Sequence, residues 1–373
     1  MKIAVLLPHL RTGGIERGML SLLQRWPDDS GLEVILILQS RKGDLLDHVP
    51  PHVQVLDLQG AKVVGGSKVL AYLLHREAVD LVWTATNAAN VMALLAARRM
   101  GRRRAPRLVL GEHIPLQAFL DTRRFAPLRR AIMRQLYPDA VAITAPLQPI
   151  LDEHRAMIGR RCPPCVVLPN PVVDAIATAR PLPDRARHFV TLGRLSPEKG
   201  YDLAIQAFAE LHKVQPDARL TLHGDGPERD RLQALIARLR LGDVVTLAGA
   251  VPDAQTAFRG ADMLWCTSHV EGFGNVLVEA MAHGVPVASV NCPFGPAHLL
   301  AGGRGGLLCD TRNPEQLAQQ IAAFAQDRVA RETAQAEGFK IAAGYTKDSA
   351  VQAHVAFFQS LSDNSDGSDT VGS

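Results

Sequence analysis

The stretch Glu271-Gly-Phe-Gly-Asn-Val-Leu-Val-Glu279 holds the residues whose types and spacing best suit chemistry. Unpaired N–H groups and the positive dipole end of a helix N-terminus attract phosphate. Gly272 and Gly274, just ahead of Asn275, would let the backbone approach a ligand closely. On a single helix the two carboxylates would lie about 12 Å apart. Glu271 is therefore expected in a loop and Glu279 in the second helical turn, one near each end of an elongated ligand. A carboxylate has two acceptor oxygens and suits vicinal hydroxyls, such as those of a ribose or hexose. The plainer alternatives are a helix-dipole partner for Glu271 and a solvated helix residue for Glu279.

Other candidates fall at the ends of apolar runs. In Leu192-Gly-Arg-Leu-Ser-Pro-Glu-Lys-Gly200, Arg194 offers a bidentate fork and Lys199 a point charge. Converging on a diphosphate, they would stabilise negative charge building on a leaving group. Gly13 and Gly14 sit where a first strand turns into a helix, and Glu16 reads as a first-turn helix charge. His113, with Glu112 before it, follows a strand at the carboxyl end of the first sheet, where open α/β folds bind ligands. In His223-Gly-Asp-Gly-Pro227, Asp225 is either a ligand contact or a turn former. Two prolines stiffen Leu168-Pro-Asn-Pro-Val172 into a hinge. Cys162-Pro-Pro-Cys165 lacks the second ligand pair that a structural zinc site needs.

The elements that must position these residues alternate between short apolar runs and helical periodicity. Strands are expected at 2–7, 33–38, 53–58, 80–84, 107–110, 140–144 and 166–168, with helices at 15–26, 67–78, 88–100, 125–137 and 147–158. A second set has strands at 188–192, 219–222, 244–247, 263–266, 286–290 and 306–309 and helices at 201–213, 228–240 and 275–283. The strands are continuous apolar runs, as parallel sheets covered on both faces require. Two doubly wound α/β domains follow, 1–173 and 188–345. Between them 174–187, with Pro181 and Pro183, reads as a linker; a helix spans 346–362, and 363–373 is a disordered polar tail.

Glu271 to Glu279 resembles the E-x7-E signature of glycosyltransferase family 4, the retaining enzymes of the GT-B fold. Gly13-Gly-Ile-Glu-Arg17, Gly111-Glu-His113, Leu168 to Val172, Leu192 to Gly200 and His223 to Pro227 are similar to its other motifs, so the likeness runs from residue 1 to about 310. Asn291-Cys-Pro-Phe-Gly-Pro-Ala-His298 departs from it, with Asn291 for an acid and Ala297-His298 for Arg-Glu. The resemblance implies two Rossmann-like domains facing an interdomain cleft, the last helix packing on the first domain. It implies a metal-independent, retaining hexosyltransferase using a nucleoside diphosphate sugar. Arg194, Lys199, Glu271 and His113 would be catalytic. Gly13, Gly14, Gly272, Phe273, Gly274, Asn275 and Glu279 would bind the donor, Glu279 taking the ribose hydroxyls. The acceptor would be a hydroxyl of a polysaccharide or lipopolysaccharide precursor, lipid-linked in many members.

Composition narrows the classes. An apolar content of 47% with 21% charged residues suits a globular protein, and no apolar run approaches the roughly 18 residues of a membrane span. Five scattered cysteines fit a reducing compartment, so the cytoplasm is expected, as no cleavable leader is read in Met1–Pro8. Residues 1–180 hold 24 basic against 15 acidic side chains and the remainder 17 against 22, which points to an anionic partner for the first half. Leu128, Ile132, Met133 and Leu136 form an apolar stripe beside Arg123, Arg124, Arg129, Arg130 and Arg134. The 123–136 region is thus expected to meet the anionic inner face of the membrane peripherally; no nucleic acid partner is expected. Rival readings are a sugar-nucleotide 2-epimerase of the same architecture and a silent nucleotide-sugar-binding subunit. A dinucleotide oxidoreductase would need G-x-G-x-x-G after the first strand, which is absent.

Overall fold

The computed structural model describes residues 1–11, 13–121 and 125–366. Two units form, Met1–Pro171 with the chain from Lys347 onward, and Val172–Thr346.

In the first unit β1 (Lys2–Leu7), β2 (Glu33–Leu38), β3 (Val55–Asp57), β4 (Leu81–Thr84), β5 (Arg107–Gly111), β6 (Ala142–Ala145) and β7 (Cys165–Val167) pair in parallel in the order β3-β2-β1-β4-β5-β6-β7. Ile3–Leu7 and Ile35–Leu38 are buried throughout, because apolar side chains leave both faces of the pleat for helices to cover. The order reverses between β1 and β4, so the loops after these strands diverge and leave a crevice at their carboxyl ends. The last helix, Lys347–Asp366, belongs to this unit. It buries Ala350, Val351, Val355 and Phe358 in the core, with the Trp83 ring 5.2 Å from Phe358 and 5.1 Å from His354. The Arg107 guanidinium donates to the Leu361 carbonyl. A disordered tail from Asp363 was the expectation, but the helix propagates through polar residues to Asp366; 367–373 lie outside the described residues.

The second unit has β8 (His188–Leu192), β9 (Arg219–His223), β10 (Val245–Gly249), β11 (Met263–Cys266), β12 (Val287–Val290) and β13 (Leu307–Cys309), all parallel, in the order β10-β9-β8-β11-β12-β13. Its reversal lies between β8 and β11. Phe189 anchors the core, edge-on to Trp265 at 6.0 Å and to Phe208 at 6.4 Å. Residues 174–187 are a strap on this unit: Ala177 N–H donates to Ala282 O (2.8 Å) and Ala186 N–H to Ala325 O (2.9 Å). Prolines bring carbonyls without donors, and the buried Arg331 guanidinium donates to the carbonyls of Pro183 (2.8 Å) and its neighbour Asp184 (2.9 Å). Two helices outside the expected set, Pro314–Gln326 and Arg328–Ala343, are capped by Asn313 and Asp327, whose side chains accept from Gln316 N and Ala330 N.

One expected stripe divides. The helix Ala126–Leu136 buries Met133 and Leu136 but leaves Leu128 59% exposed, beside Phe125 at 72%. At about 100° per residue, Leu128 and Met133 lie roughly 140° apart, too far for one buried face. Arg129, Arg130 and Arg134 are exposed, while Arg123 and Arg124 lie outside the described residues. Among the described residues no helix is long and apolar enough to cross a membrane.

Candidate active site

At the reversal of the second sheet, the loops after β8 and β11 bring together residues 72 positions apart in the chain. Lys199 closes the 3-10 turn Pro197–Lys199, and its Nζ lies 2.7 Å from Glu271 Oε1. Ser268 Oγ donates to the same oxygen at 2.6 Å. Glu271 is buried, while the Lys199 side chain keeps 23% of its surface. Burial pulls the Lys199 pKa down, but the Glu271 carboxylate outweighs it and holds the ammonium above its ordinary value. The two loops are also stitched through their backbones. His269 N–H donates to Glu198 O (2.8 Å), and Thr267 Oγ1 donates to Lys199 O (3.2 Å). Gly200, at φ +61°, lies so close to Thr267 O that a side-chain methyl would overlap it.

Glu271 lies in the loop, bridged to Phe294, and Glu279 is the fifth residue of the helix Asn275–Ala282. The helix starts from Gly274, which has no side chain to cap it, while Leu277 N–H donates to Gly274 O at 2.9 Å. Gly272 and Glu279 are half-buried and Asn275 is exposed. The Phe273 ring turns inward, 5.2 Å from Tyr345, so what this residue presents to a ligand is backbone. Arg194 is exposed on the first loop; burial raises the pKa of Glu198, but a hydrogen bond from Ser196 and the charges of Lys199 and Arg194 lower it overall.

A third loop supports the first. Gly193 N–H donates to His223 O and Leu195 N–H to Asp225 O, both at 2.9 Å, and a methyl on Gly224 would overlap Gly193 O. Asp225 Oδ1 accepts from Gly226 N–H at 2.8 Å. In the divergent segment, Asn291 Nδ2 donates to Asp310 Oδ1 (2.7 Å), while Ala297 and His298 are exposed.

In the first unit Gly13 is the N-cap of the helix Gly14–Gln24, with the buried Glu16 carboxylate folded back toward it and 3.5 Å from His9 Nδ1. Gly14 is open to its surroundings, and Thr12 is outside the described residues. His113 follows β5, half-buried. Burial brings its pKa down to about 4 against the opposing pull of Glu112, so the imidazole is neutral at pH 7. Glu112 anchors this loop in a buried polar network. Its Oε1 accepts from Tyr137 OH (2.6 Å) and Asn90 Nδ2 (2.7 Å) and faces His154 Nε2 at 3.5 Å. His154 Nδ1 lies 2.9 Å from the Ile150 carbonyl, which only accepts, so this nitrogen carries hydrogen. Nε2 then faces the Glu112 carboxylate at 3.5 Å, which favours the charged imidazole. Burial opposes both charges, but each partner outweighs it: His154 stands above its usual value and Glu112 below.

An ammonium, a glycine loop and a helix N-terminus at one sheet reversal are groups that can attract an anion, and carboxylates such as the two flanking ones can accept from hydroxyls. Among the described residues no three His, Cys, Asp or Glu side chains gather as a metal would require.

Residues 12–175 match the model of Glycosyltransferase Family 4, and residues 173–340 that of Glycosyl transferases group 1. The chain belongs to glycosyltransferase family 4. Its two parallel-sheet units are those of the GT-B fold. This glycosyltransferase chain is similar to Alr3699/HepE of Anabaena, solved with UDP: 23% identity, TM-score 0.79, covering 97% of this chain and 100% of that one. It is 34% identical over 171 residues to the exopolysaccharide phosphotransferase SCO2592 of Streptomyces coelicolor, 46% of this chain and 18% of that protein. It is 28% identical over 171 residues to the poly(glycerol-phosphate) alpha-glucosyltransferase of Bacillus subtilis, again 46% of this chain and 25% of that protein. The matched regions thus span a quarter or less of the length of these two curated relatives.

Two side chains of the family 4 chain's site escape sequence reasoning. Ser268 holds Glu271 directly, and Arg312 clamps the strand end by donating to Ser268 O and Thr267 O, each at 2.9 Å. A lone arginine in the turn Asp310-Thr-Arg-Asn313 carries no spacing signal that would have found it.

Proposed function

We propose that the chain transfers a hexose, with retention and without a metal, from a nucleoside diphosphate sugar to a hydroxyl of a polysaccharide or lipopolysaccharide precursor. The observation that carries the reading is the Lys199–Glu271 pair beside the uncapped N-terminus of Asn275–Ala282. The diphosphate would lie against Lys199, Arg194 and the first N–H groups of that helix, with the ribose on Glu279 and the sugar hydroxyls on Glu271. As the bond from the anomeric carbon to the diphosphate breaks, the acceptor oxygen bonds to that carbon on the same face. The acceptor proton passes to the departing diphosphate. Cationic stabilisation of that diphosphate is then the main catalytic contribution. His113, neutral at pH 7, can hydrogen-bond hydroxyls without carrying charge.

Thermal stabilisation by a panel of nucleotide sugars, followed by assay of nucleoside diphosphate release with and without acceptor, tests the proposal. Release that requires the acceptor and persists in a chelator supports it. Acceptor-independent sugar release would mark an epimerase or hydrolase, binding without turnover a silent subunit, and loss restored by Mg²⁺ a metal-dependent enzyme. Glu279→Gln should weaken donor binding, and an unchanged affinity would remove the ribose assignment.

Exposed Phe125 and Leu128 beside Arg129, Arg130 and Arg134 support a peripheral membrane contact on the cytoplasmic face. Co-sedimentation with anionic vesicles should fall as salt rises, and fall further for Phe125→Ser/Leu128→Ser. Equal partitioning of variant and wild type would exclude this surface.

A further inference from the structure

Cys162-Pro-Pro-Cys165 plays no part in the anion site, yet its two sulfurs meet. The Sγ atoms are 3.7 Å apart, close enough to share a hydrogen. The loop between them is held at both ends. Cys162 N–H donates to Gly159 O at 3.0 Å, and the Pro164 carbonyl accepts from Ile143 N–H of β6 at 2.9 Å. Pro163 and Pro164 each have φ fixed by their rings, so the turn that brings the sulfurs together is largely pre-organised. Closing a sulfur–sulfur bond of about 2.05 Å requires an approach of under roughly 2 Å.

Access separates this pair from the other cysteines. Cys162 and Cys165 are half-buried, whereas Cys266, Cys292 and Cys309 are buried. The exposed Arg160 and Arg161 precede the pair and would favour an anionic disulfide reagent. A metal is the weaker occupant, since two thiols give half a tetrahedral ligand set and no group of three ligating side chains occurs among the described residues.

We propose that Cys162 and Cys165 form a reversible intramolecular disulfide by exchange with a low-molecular-weight disulfide such as oxidised glutathione. The Cys165 thiolate attacks one glutathione sulfur and expels glutathione thiolate, leaving a mixed disulfide. Cys162 then loses its proton, attacks the Cys165 sulfur and expels the second glutathione. Two thiols are oxidised, and the reagent gains the two electrons and two protons as two glutathione thiols. In the reduced pair, burial and then the contact with Cys165 push the Cys162 thiol up to about 12, which suits a resolving rather than an attacking role. Capping Cys165 removes that contact, so that only burial still opposes the Cys162 thiolate, which Arg155 favours. The bond would tie the end of the helix Gln148–Ile158 to β7; that helix carries His154, and its Glu153 carboxylate accepts from Leu116 N–H at 2.6 Å beside the His113 loop.

The test is equilibration of the whole chain in glutathione buffers of rising oxidised fraction, acid quenching, alkylation under denaturing conditions and tryptic mapping. Arg180 precedes proline, so both cysteines should fall in the one peptide 162–185. Its doubly alkylated form should give way to an unlabelled species lighter than the dithiol by two hydrogens, reversibly on adding dithiothreitol. The other three cysteines should stay alkylated. C162S should accumulate a stable glutathione adduct on Cys165, because it lacks the resolving thiol. Two alkylated thiols at the most oxidising ratio, or a stable glutathione adduct in the wild type, would overturn the proposal.

Discussion

Lys199 carries two roles that a pair of substitutions can separate. It neutralises Glu271 in the resting site, at 2.7 Å, and it is proposed to stabilise the diphosphate as it leaves. Lys199→Ala strands a buried carboxylate with Ser268 as its remaining side-chain donor. Truncating one partner of a buried pair costs 3–5 kcal/mol, reduced here to about 2–3 kcal/mol because 23% of the Lys199 side chain meets water. In a domain of this size that is a fall of about 4–12 °C in melting temperature. Turnover at saturating donor should drop on the order of 10²-fold, the usual effect of losing one charge stabiliser worth about 3 kcal/mol. Adding Glu271→Gln removes the stranded charge and should restore most of the stability. It should leave the turnover penalty of Lys199→Ala intact, measured against Glu271→Gln alone. Melting curves and steady-state rates on all four proteins give the answer. If turnover recovers together with stability, Lys199 acts only by neutralising Glu271 and the leaving-group role is wrong.

The Glu112–His154 pair should show a pH signature. His154 stands above its unfolded value of about 6.5, so its contribution is complete below that pH and is lost as pH rises through the folded value; Glu112 stands below its unfolded value, so its contribution is lost only as pH falls through the folded one. Glu112→Gln should therefore destabilise most between about pH 4.5 and 6.5 and least near pH 9. Urea unfolding followed by tryptophan fluorescence would measure it, and an equal cost at both ends would refute the coupling of Glu112 to His154. Gly224→Ala should separate the loops after β8 and β9, lowering stability by about 1–3 kcal/mol and weakening nucleotide binding by calorimetry. Wild-type affinity in that variant would show that the packing of these loops does not shape the anion site.

Continuous apolar runs made the sheets legible. The strands 2–7, 33–38, 188–192 and 263–266 have the expected bounds, because a strand covered on both faces can hold few polar residues. Glu271 in the loop and Glu279 in the second turn were also legible, from the glycines between them. Helices Pro314–Gln326 and Arg328–Ala343 were not assigned, though Asn313-Pro314 is a recognisable start. Long-range side-chain partnerships left no trace in spacing. Nothing near Glu112 in sequence announces Tyr137 or His154, and nothing near Ser268 announces Arg312.

The return of the helix Lys347–Asp366 to the first unit sets an order on biosynthesis. A ribosome delivers the whole second unit before it delivers the residues that finish the first. Until then Trp83 and the strands around it lack the cover of Val351, Val355 and Phe358, so the nascent amino-terminal half must wait with an apolar surface open. Lesions in this helix, whether a premature stop ahead of it or substitutions that disturb its buried face, would therefore register as misfolding of the part translated first.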